Sequence, residues 1–224
     1  MVAKGIILEY DYVIPQGPES LFEAMKEFFA NLDGINYDKI AEARWMAGKN
    51  FQKALLEYFP VLKTKKTVQK TARDIPVYLQ KFYTSKIQNE GVDAKFKKLV
   101  KELEAKGLKV VIATRADTNK VADQFADVVS DNVKLYHFNS ATYGNVKWDA
   151  WGFALKEIGT DARATYAVTG SGFGVKSAIQ ARHPAIAVMT PHTEWQDFTG
   201  ADLIISNIYD APNQKKLFKQ LGIA

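Results

Sequence analysis

Short apolar runs alternate with amphipathic segments along much of the chain, and this alternation predicts an α/β protein. The first apolar run covers residues 6–14, and from about residue 91 further short runs mostly follow segments whose apolar positions recur at helical spacing. The later predicted strands are 109–114, 134–138, 165–168, 185–189 and 203–205, and the predicted helices are around 96–103, 121–125, 150–158 and 175–182. Strands that are apolar on both faces and separated by helices indicate a doubly wound, parallel, Rossmann-like sheet.

Residues 16–90 differ from the rest, because their apolar positions recur only at helical spacing. Two prolines and a glycine at 15–18 end the first apolar run, and the helices predicted after them lie around 21–32, 40–47, 51–58 and 64–87. Because proline disrupts a helix interior, Pro76 is expected to interrupt the last of these helices or to begin a segment of it. We therefore expect an α-helical cap domain at 16–90, inserted into a core domain that consists of 1–15 and 91–224.

Composition excludes several kinds of site. The chain has no cysteine and three histidines, so disulfides, thiolate metal sites and cysteine nucleophiles are excluded and a multi-histidine metal site is not expected. Its net charge of +5 comes largely from lysines on the polar sides of predicted helices, a pattern that does not favour nucleic acid as a partner. No segment has the features of a signal peptide or a membrane span, so we expect a cytoplasmic protein with no membrane partner.

Two carboxylates lie near the end of the first predicted strand. Glu9 and Asp11 are two residues apart, so an extended backbone would point both side chains the same way as the strand leaves the sheet. This arrangement favours a pair of carboxylates that takes part in chemistry at a functional site. The alternative is an edge strand that carries two exposed acids.

The ends of later strands carry groups that can bind an anion. In a parallel sheet ligands bind at the carboxyl ends of the strands, and the loop 169–174 adds backbone N–H groups before a predicted helix. The candidate phosphate-binding residues are Thr114, Arg115, Lys147 and Ser171. Each also has an ordinary structural role open to it, such as a helix cap for Thr114.

The glycine-rich loop does not match a dinucleotide-binding fingerprint. Gly170, Gly172 and Gly174 have the wrong spacing, and the loop lies late in the chain rather than after the first strand. The loop therefore does not favour a dinucleotide cofactor; by itself it could be a plain tight turn, and it indicates phosphate binding only together with the other strand-end groups.

In the order and spacing of these stretches the chain resembles the haloacid dehalogenase superfamily. The resemblance is to the branch with an α-helical cap after the first strand, which includes beta-phosphoglucomutase and small phosphatases, and it covers nearly the whole chain. The matching stretches are 6–14, 110–114, Lys147 and 168–178. It implies Mg²⁺-dependent phosphoryl transfer through an aspartyl-phosphate, with phosphate held at Thr114 and Lys147. Arg44 and Lys49 are then candidates for substrate contact from the cap.

Three positions depart from the pattern of that family. The position of its nucleophilic aspartate is Glu9, whereas its acid–base aspartate is kept as Asp11. Tyr12 replaces a glycine, and Gly170 stands where the family has an acidic residue that helps to hold Mg²⁺. Only Glu9 and Asp11 are left as metal ligands, so Mg²⁺ is expected to bind weakly or not at all.

These departures favour a catalytically impaired protein, a pseudoenzyme that binds phosphate, a phosphorylated small molecule or a protein partner. The alternative is an active Mg²⁺-dependent phosphatase or phosphomutase that uses Glu9 and Asp11. The role of Arg115 stays open, because its guanidinium could pair with Glu9, clamp a phosphate where Mg²⁺ would lie, or pair with Asp117 at the surface.

Overall fold

The computed structural model describes residues 2–32, 36–42, 65–138 and 150–224. Their strands form a six-stranded sheet in which all neighbours are parallel and whose order is β3-β2-β1-β4-β5-β6. The strands are β1 (Gly5–Glu9), β2 (Lys109–Thr114), β3 (Val133–His137), β4 (Thr165–Thr169), β5 (Ala185–Val188) and β6 (Leu203–Ile205). The chain adds strands to one side of β1 and then returns to add β4 on the other side. This reversal creates a crevice at the carboxyl ends of β1 and β4, where doubly wound folds bind ligands.

The helices account for most of the remaining described residues. They are α1 (Tyr10–Val13), α2 (Gly17–Ala30), α3 (Lys39–Ala41), α4 (Lys65–Glu90), α5 (Ala94–Ala105), α6 (Ala122–Phe125), α7 (Ala150–Lys156), α8 (Gly172–Gln180) and α9 (Ala211–Leu221). The sequence analysis did not predict α9, which begins with a proline in its first turn and ends at Gly222 in the left-handed conformation, with φ of 72°. Among the described residues no helix is long and apolar enough to cross a membrane.

Alternate residues of the strands enter two separate apolar layers. Ile6 and Leu8 lie in a layer that includes the buried faces of α2, α4, α5 and α9, whereas Ile7 packs with α7 and α8 on the opposite face of the sheet. Both faces are therefore buried, and this explains why the strands read as continuous apolar runs in the sequence. The predicted doubly wound parallel sheet is confirmed.

The first strand is shorter than the sequence predicted. It ends at Glu9, and α1 begins at Tyr10, so Asp11 lies in a helical turn and not in the strand. The expectation that Glu9 and Asp11 share one face of an extended run was therefore wrong. All residues of Tyr10–Val13 are buried, and a short run that is apolar throughout does not distinguish a buried strand from a buried helical turn by its periodicity.

The long helix α4 runs unbroken through Pro76, contrary to the expected interruption. Ile75 and Leu79 on either side of the proline are fully buried, so packing holds the helix across it. Of the other helices predicted before residue 65, the one around 40–47 is described only at Lys39–Ala41, where Asp38 caps it by accepting a hydrogen bond of 2.7 Å from Ala41 N–H. The helix predicted at 51–58 lies outside the described residues.

Replacement of Pro76 by alanine should raise the free energy of unfolding by about 1–2 kcal/mol. A proline in a helix interior costs about 3 kcal/mol, and its lower entropy in the unfolded chain offsets part of that. Urea unfolding followed by far-ultraviolet circular dichroism measures the change. Val77→Ala, at an exposed position of the same helix, is the matched control and should shift stability by about 0.5 kcal/mol or less. A less stable Pro76→Ala variant would mean that contacts of the proline ring outweigh the backbone penalty.

Candidate functional site

The candidate site lies where the central strands end at the same edge of the sheet. Glu9 is the last residue of β1, Thr114 is the last of β2 and Thr169 is the last of β4. Since β1 pairs with both β2 and β4, their final side chains meet at the crevice between them. The turn α1 then brings Asp11 back over the end of β2.

Arg115 joins the two carboxylates of the site. Its Nη2 donates to Glu9 Oε1 at 2.9 Å, and its Nη1 donates to Asp11 Oδ2 at 3.3 Å. Exposure is 0% for Glu9, 1% for Asp11 and 3% for Arg115, so this pairing is sealed from solvent. We call the three residues the ion-pair triad. The Tyr12 ring covers the guanidinium, with 5.0 Å from its centroid to Arg115 Cζ, which adds a cation–π contact.

All four carboxylate oxygens of the triad accept a hydrogen bond. Glu9 Oε2 accepts from the Thr169 hydroxyl at 2.5 Å, and Asp11 Oδ1 accepts from the Thr114 hydroxyl at 2.8 Å. The backbone N–H of Arg115 donates to Asp11 Oδ2 at 2.6 Å. These hydrogen bonds stabilise the buried carboxylates of Glu9 and Asp11, whose charges would be strongly destabilising without partners.

Burial and charge act in opposite directions on the triad. Burial raises the pKa of Glu9 and of Asp11, while Arg115 and the hydrogen bonds from Thr169 and Thr114 oppose that rise. Burial lowers the pKa of Arg115, but Glu9 and Asp11 outweigh it, so the pKa of Arg115 is raised overall. Arg115 therefore stays charged, and two carboxylates share one cation.

Three backbone N–H groups of the glycine-rich loop donate hydrogen bonds to other groups of the chain. Ser171 caps α8, since its hydroxyl accepts a hydrogen bond of 2.9 Å from Gly174 N–H. The Ser171 N–H donates to the Thr169 hydroxyl at 3.3 Å, and the Gly172 N–H donates to Gln196 Oε1 at 2.8 Å. These three backbone donors, which the sequence analysis assigned to an anion, have partners within the protein.

Gly170 has no room for a side chain. A Cβ atom built on it would lie 2.6 Å from the carbonyl oxygen of Tyr12 and 3.1 Å from the Tyr12 Cβ. Backbone atoms of α1 fill the space in which an acidic side chain would have to stand. An acid at position 170 therefore requires the turn that carries Asp11 to move.

The structure brings together four of the predicted site residues and leaves others undescribed. Glu9, Asp11, Thr114 and Arg115 form one hydrogen-bonded cluster, and Ser171 is linked to it through Thr169. The alternative of a surface pair between Arg115 and Asp117 was wrong, and the lysine within ion-pair distance of Asp117 is Lys120, at 3.8 Å. Lys147, Arg44 and Lys49 lie outside the described residues.

Sequence analysis missed Thr169 and Gln196. Thr169 could have been predicted from the sequence, because it ends the strand next to β1. Ligands bind at the carboxyl ends of parallel strands, and this applies to Thr169 as it does to Thr114. Gln196 gives no sequence signal, since it lies in a loop far from the residues it contacts. Within the described ranges no group of three or more His, Cys, Asp or Glu side chains is arranged to hold a metal ion.

Comparison with known proteins gives matches only at the level of structure. No model of a known protein family matches the chain, and no curated protein sequence matches it significantly. Similar solved structures include a mutant of CbbY from Rhodobacter sphaeroides in complex with xylulose-(1,5)bisphosphate, with 15% identity, a TM-score of 0.66, and coverage of 93% of this chain and 96% of that one.

Two further structures cover nearly the whole of both chains. Beta-phosphoglucomutase from Clostridium difficile is 12% identical over 99% of this chain and 98% of that one, with a TM-score of 0.66. A phosphonoacetaldehyde hydrolase like protein from Oleispira antarctica is 13% identical over 99% and 94%, with a TM-score of 0.69. At these identities the likeness concerns the fold, and the chain has the haloacid dehalogenase fold, a Rossmann-like parallel core with an inserted α-helical cap.

Proposed function

We propose that this protein binds a phosphorylated small molecule without hydrolysing it, and that it does so without Mg²⁺. The observation that carries the proposal is the guanidinium of Arg115, which donates to both Glu9 and Asp11 in a fully buried centre. A cation supplied by the chain itself then stands where the resemblance implies a metal ion, and it holds both carboxylates that the resemblance assigns to catalysis.

Glu9 is poorly placed to act as a nucleophile. One of its oxygens accepts from Arg115 at 2.9 Å and the other accepts from Thr169 at 2.5 Å, so each oxygen already shares electron density with a donor, which lowers its nucleophilicity. Its additional methylene group also displaces the carboxylate by about 1.5 Å relative to aspartate. A displacement of about 1 Å can reduce a rate about 100-fold.

The residues present do not fit a Mg²⁺ ion. Magnesium requires near-octahedral oxygen ligands at about 2.0–2.1 Å, and the two carboxylates that the described residues place in the centre, Glu9 and Asp11, already face the Arg115 cation. Gly170 supplies no side-chain ligand, and the backbone of Tyr12 leaves no room for a side chain there. We infer that Mg²⁺ binds weakly or not at all.

Asp11 takes the place that a phosphate group would need. The Thr114 hydroxyl and the Arg115 N–H are the donors at the end of β2, and both bind the Asp11 carboxylate, at 2.8 and 2.6 Å. A phosphate that enters this centre must exchange with Asp11, after which the same two donors and the guanidinium would face it. Recognition at this centre therefore requires α1 to move.

The choice of ligand class rests on the fold. A protein of the same fold, CbbY, is known in complex with xylulose-(1,5)bisphosphate, which supports a phosphorylated small molecule here.

We also propose that residues 16–90 form the cap domain and that the cap rests against the core. Thr84 in α4 accepts a hydrogen bond of 2.8 Å from Asp117 N–H, and Gln88 donates to Lys120 O at 3.1 Å, which supports that arrangement.

A turnover assay tests the proposal directly. The parent protein should hydrolyse neither an aryl phosphate nor sugar phosphates above the buffer rate, with or without Mg²⁺, because both carboxylates are held by Arg115. Glu9→Asp alone should also be inactive, since it restores the length of the nucleophile but no metal ligand. Mg²⁺-dependent hydrolysis by the parent that is lost in Asp11→Asn would contradict the proposal and establish an active phosphatase that uses Glu9 and Asp11.

Removal of Arg115 should make the protein respond to Mg²⁺. Arg115→Met leaves two buried carboxylates without their cation, which should lower the free energy of unfolding by about 3–5 kcal/mol. Millimolar Mg²⁺ should recover part of that loss in the variant and should leave the parent unchanged, as measured by thermal unfolding.

The matched control for Arg115→Met is Lys97→Met, which breaks the surface pair of Lys97 with Asp127. It should lower stability by about 1 kcal/mol or less and show no response to Mg²⁺. If Arg115→Met does not fold, Arg115→Lys tests the same point, because a lysine keeps one charge but cannot bridge both carboxylates with a planar fork. Mg²⁺ stabilisation of the parent equal to that of the variants would disprove the replacement of the metal by Arg115.

Neutralisation of Asp11 should strengthen phosphate binding. Asp11→Asn removes one negative charge from the donors that a phosphate needs, and two unit charges about 4 Å apart interact by about 4 kcal/mol at an effective dielectric constant of 20. We expect the Kd of inorganic phosphate, measured by calorimetry, to fall at least about tenfold. Asp117→Asn, on the same loop but partly exposed, is the control and should leave the Kd unchanged. Equal affinities in the parent and Asp11→Asn would show that phosphate does not exchange with Asp11.

A further inference from the structure

A cavity adjoins the ion-pair triad beside the turn α1. It has a volume of about 200 Å³, and residues of α1, of the start of α2 and of the last turns of α4 line it. Asp11 and Tyr83 both belong to this lining, and Tyr83 lies close enough to Arg115 and Glu9 for their charges to shift its pKa. The cavity is therefore part of the same site as the triad, and Asp11 lies between its two parts.

The Tyr83 hydroxyl is a buried donor of this cavity. Tyr83 lies in α4 and is 3% exposed, and its hydroxyl has no hydrogen-bond partner among the residues that the structure describes. A buried polar group without a partner is unusual in a native protein and requires an explanation. Burial raises the pKa of Tyr83, and among charged groups Asp11 has the largest effect and raises it further. The phenol therefore keeps its proton and can donate it to a carboxylate.

Other donors that line the cavity already have partners. Lys86 Nζ donates to both oxygens of Glu90, at 2.7 and 2.8 Å, and the Ser20 hydroxyl donates to Gln16 O at 2.9 Å. A carboxylate that entered the cavity would have to break one of these bonds to use either donor. The Tyr83 hydroxyl, by contrast, can donate without the loss of an existing bond.

The exchange of Asp11 for a phosphate group would release a buried acceptor. The Asp11 carboxylate accepts from the Thr114 hydroxyl at 2.8 Å and from the Arg115 N–H at 2.6 Å, and an incoming phosphate would take both donors from it. A buried carboxylate that loses its donors is strongly destabilising. Phosphate can therefore enter at low cost only if the displaced carboxylate gains a new partner.

The turn and the cavity allow Asp11 to move towards Tyr83. The backbone hydrogen bond from Ile14 N–H to Tyr10 O, which closes the turn α1, is long at 3.4 Å and therefore weak. A water molecule occupies about 30 Å³ in the liquid, so the cavity has room for a carboxylate group. A shift of α1 can thus carry the Asp11 side chain from one part of the site into the other.

We propose that the Tyr83 hydroxyl receives the Asp11 carboxylate when a phosphate group displaces it from Thr114 and Arg115. Tyr83 is then a positioning residue, which does not contact the phosphate but gives the displaced charge a hydrogen bond. This inference rests on the proposed function and deepens it, because it names the group that compensates for the displacement. It also explains why the Tyr83 hydroxyl has no partner while Asp11 is bound to Thr114 and Arg115.

A double-mutant cycle tests this pairing through the Kd of inorganic phosphate, measured by calorimetry on the full chain. Tyr83→Phe should raise the Kd at least about tenfold, because it removes a hydrogen bond to a charged group that forms only in the bound state. In Asp11→Ala, which has no carboxylate to transfer, the same substitution should change the Kd by less than about twofold. If Asp11→Ala does not fold, Asp11→Asn replaces it, and the effect of Tyr83→Phe should then be at least about threefold smaller than in the parent, since an amide carries no charge.

The outcomes separate this inference from the proposed function. If the parent and Tyr83→Phe bind phosphate with the same Kd, the inference is overturned and the proposed function stands. An equal loss of affinity with and without the Asp11 carboxylate would show that Tyr83 acts on the phosphate itself, which also overturns the inference. Binding by Asp11→Ala but not by the parent would overturn it too, because Asp11 would then not be displaced. An absence of binding in every protein would reject the proposed function and the inference together.

Stability without phosphate supplies an independent measurement. Tyr83→Phe keeps the ring and removes a hydroxyl that has no partner in the described chain, so its thermal unfolding temperature should be at least that of the parent. The control is Tyr166→Phe, because the Tyr166 hydroxyl donates to Gln220 O at 3.3 Å away from the site, and this variant should bind phosphate with the Kd of the parent. A clear loss of stability in Tyr83→Phe without phosphate would show that the hydroxyl already has a partner, and it would overturn the proposal.

Discussion

The pairing of Arg115 with Glu9 and Asp11 is the interaction on which the centre of this protein depends. The parallel sheet brings two carboxylates into a place where they are fully buried, and neither could remain there as an isolated charge. A single guanidinium resolves this, because its planar fork has enough donors to reach both groups at once. A buried ion pair need not increase stability relative to an apolar core, but the loss of one partner is strongly destabilising. The two carboxylates therefore depend on Arg115.

The surrounding residues are arranged consistently with this pairing. Thr114 and Thr169 end the two strands that flank β1, and each donates a hydroxyl to one carboxylate of the triad. Gly170 lets the backbone of Tyr12 approach closely, and the Tyr12 ring in turn covers the Arg115 guanidinium. Because these residues contact one another directly, we expect a substitution at any one of the positions to disturb the others. The centre thus behaves as a packed polar core whose hydrogen-bonding groups are supplied largely by the chain itself.

The sequence by itself determined the parallel core, because strands buried on both faces must be apolar throughout and the helices between them keep a period of their own. It also singled out Glu9, Thr114 and Arg115 from the rule that functional groups in such sheets lie at the carboxyl ends of strands, although the same rule was not applied to Thr169. Only the tertiary structure decided which groups these residues contact. The end of β1 at Glu9, the continuity of α4 through Pro76 and the partner of Arg115 all depend on packing between segments far apart in the chain. Arg115 and Glu9 are 106 positions apart, and no local pattern records which of several charges a guanidinium will meet.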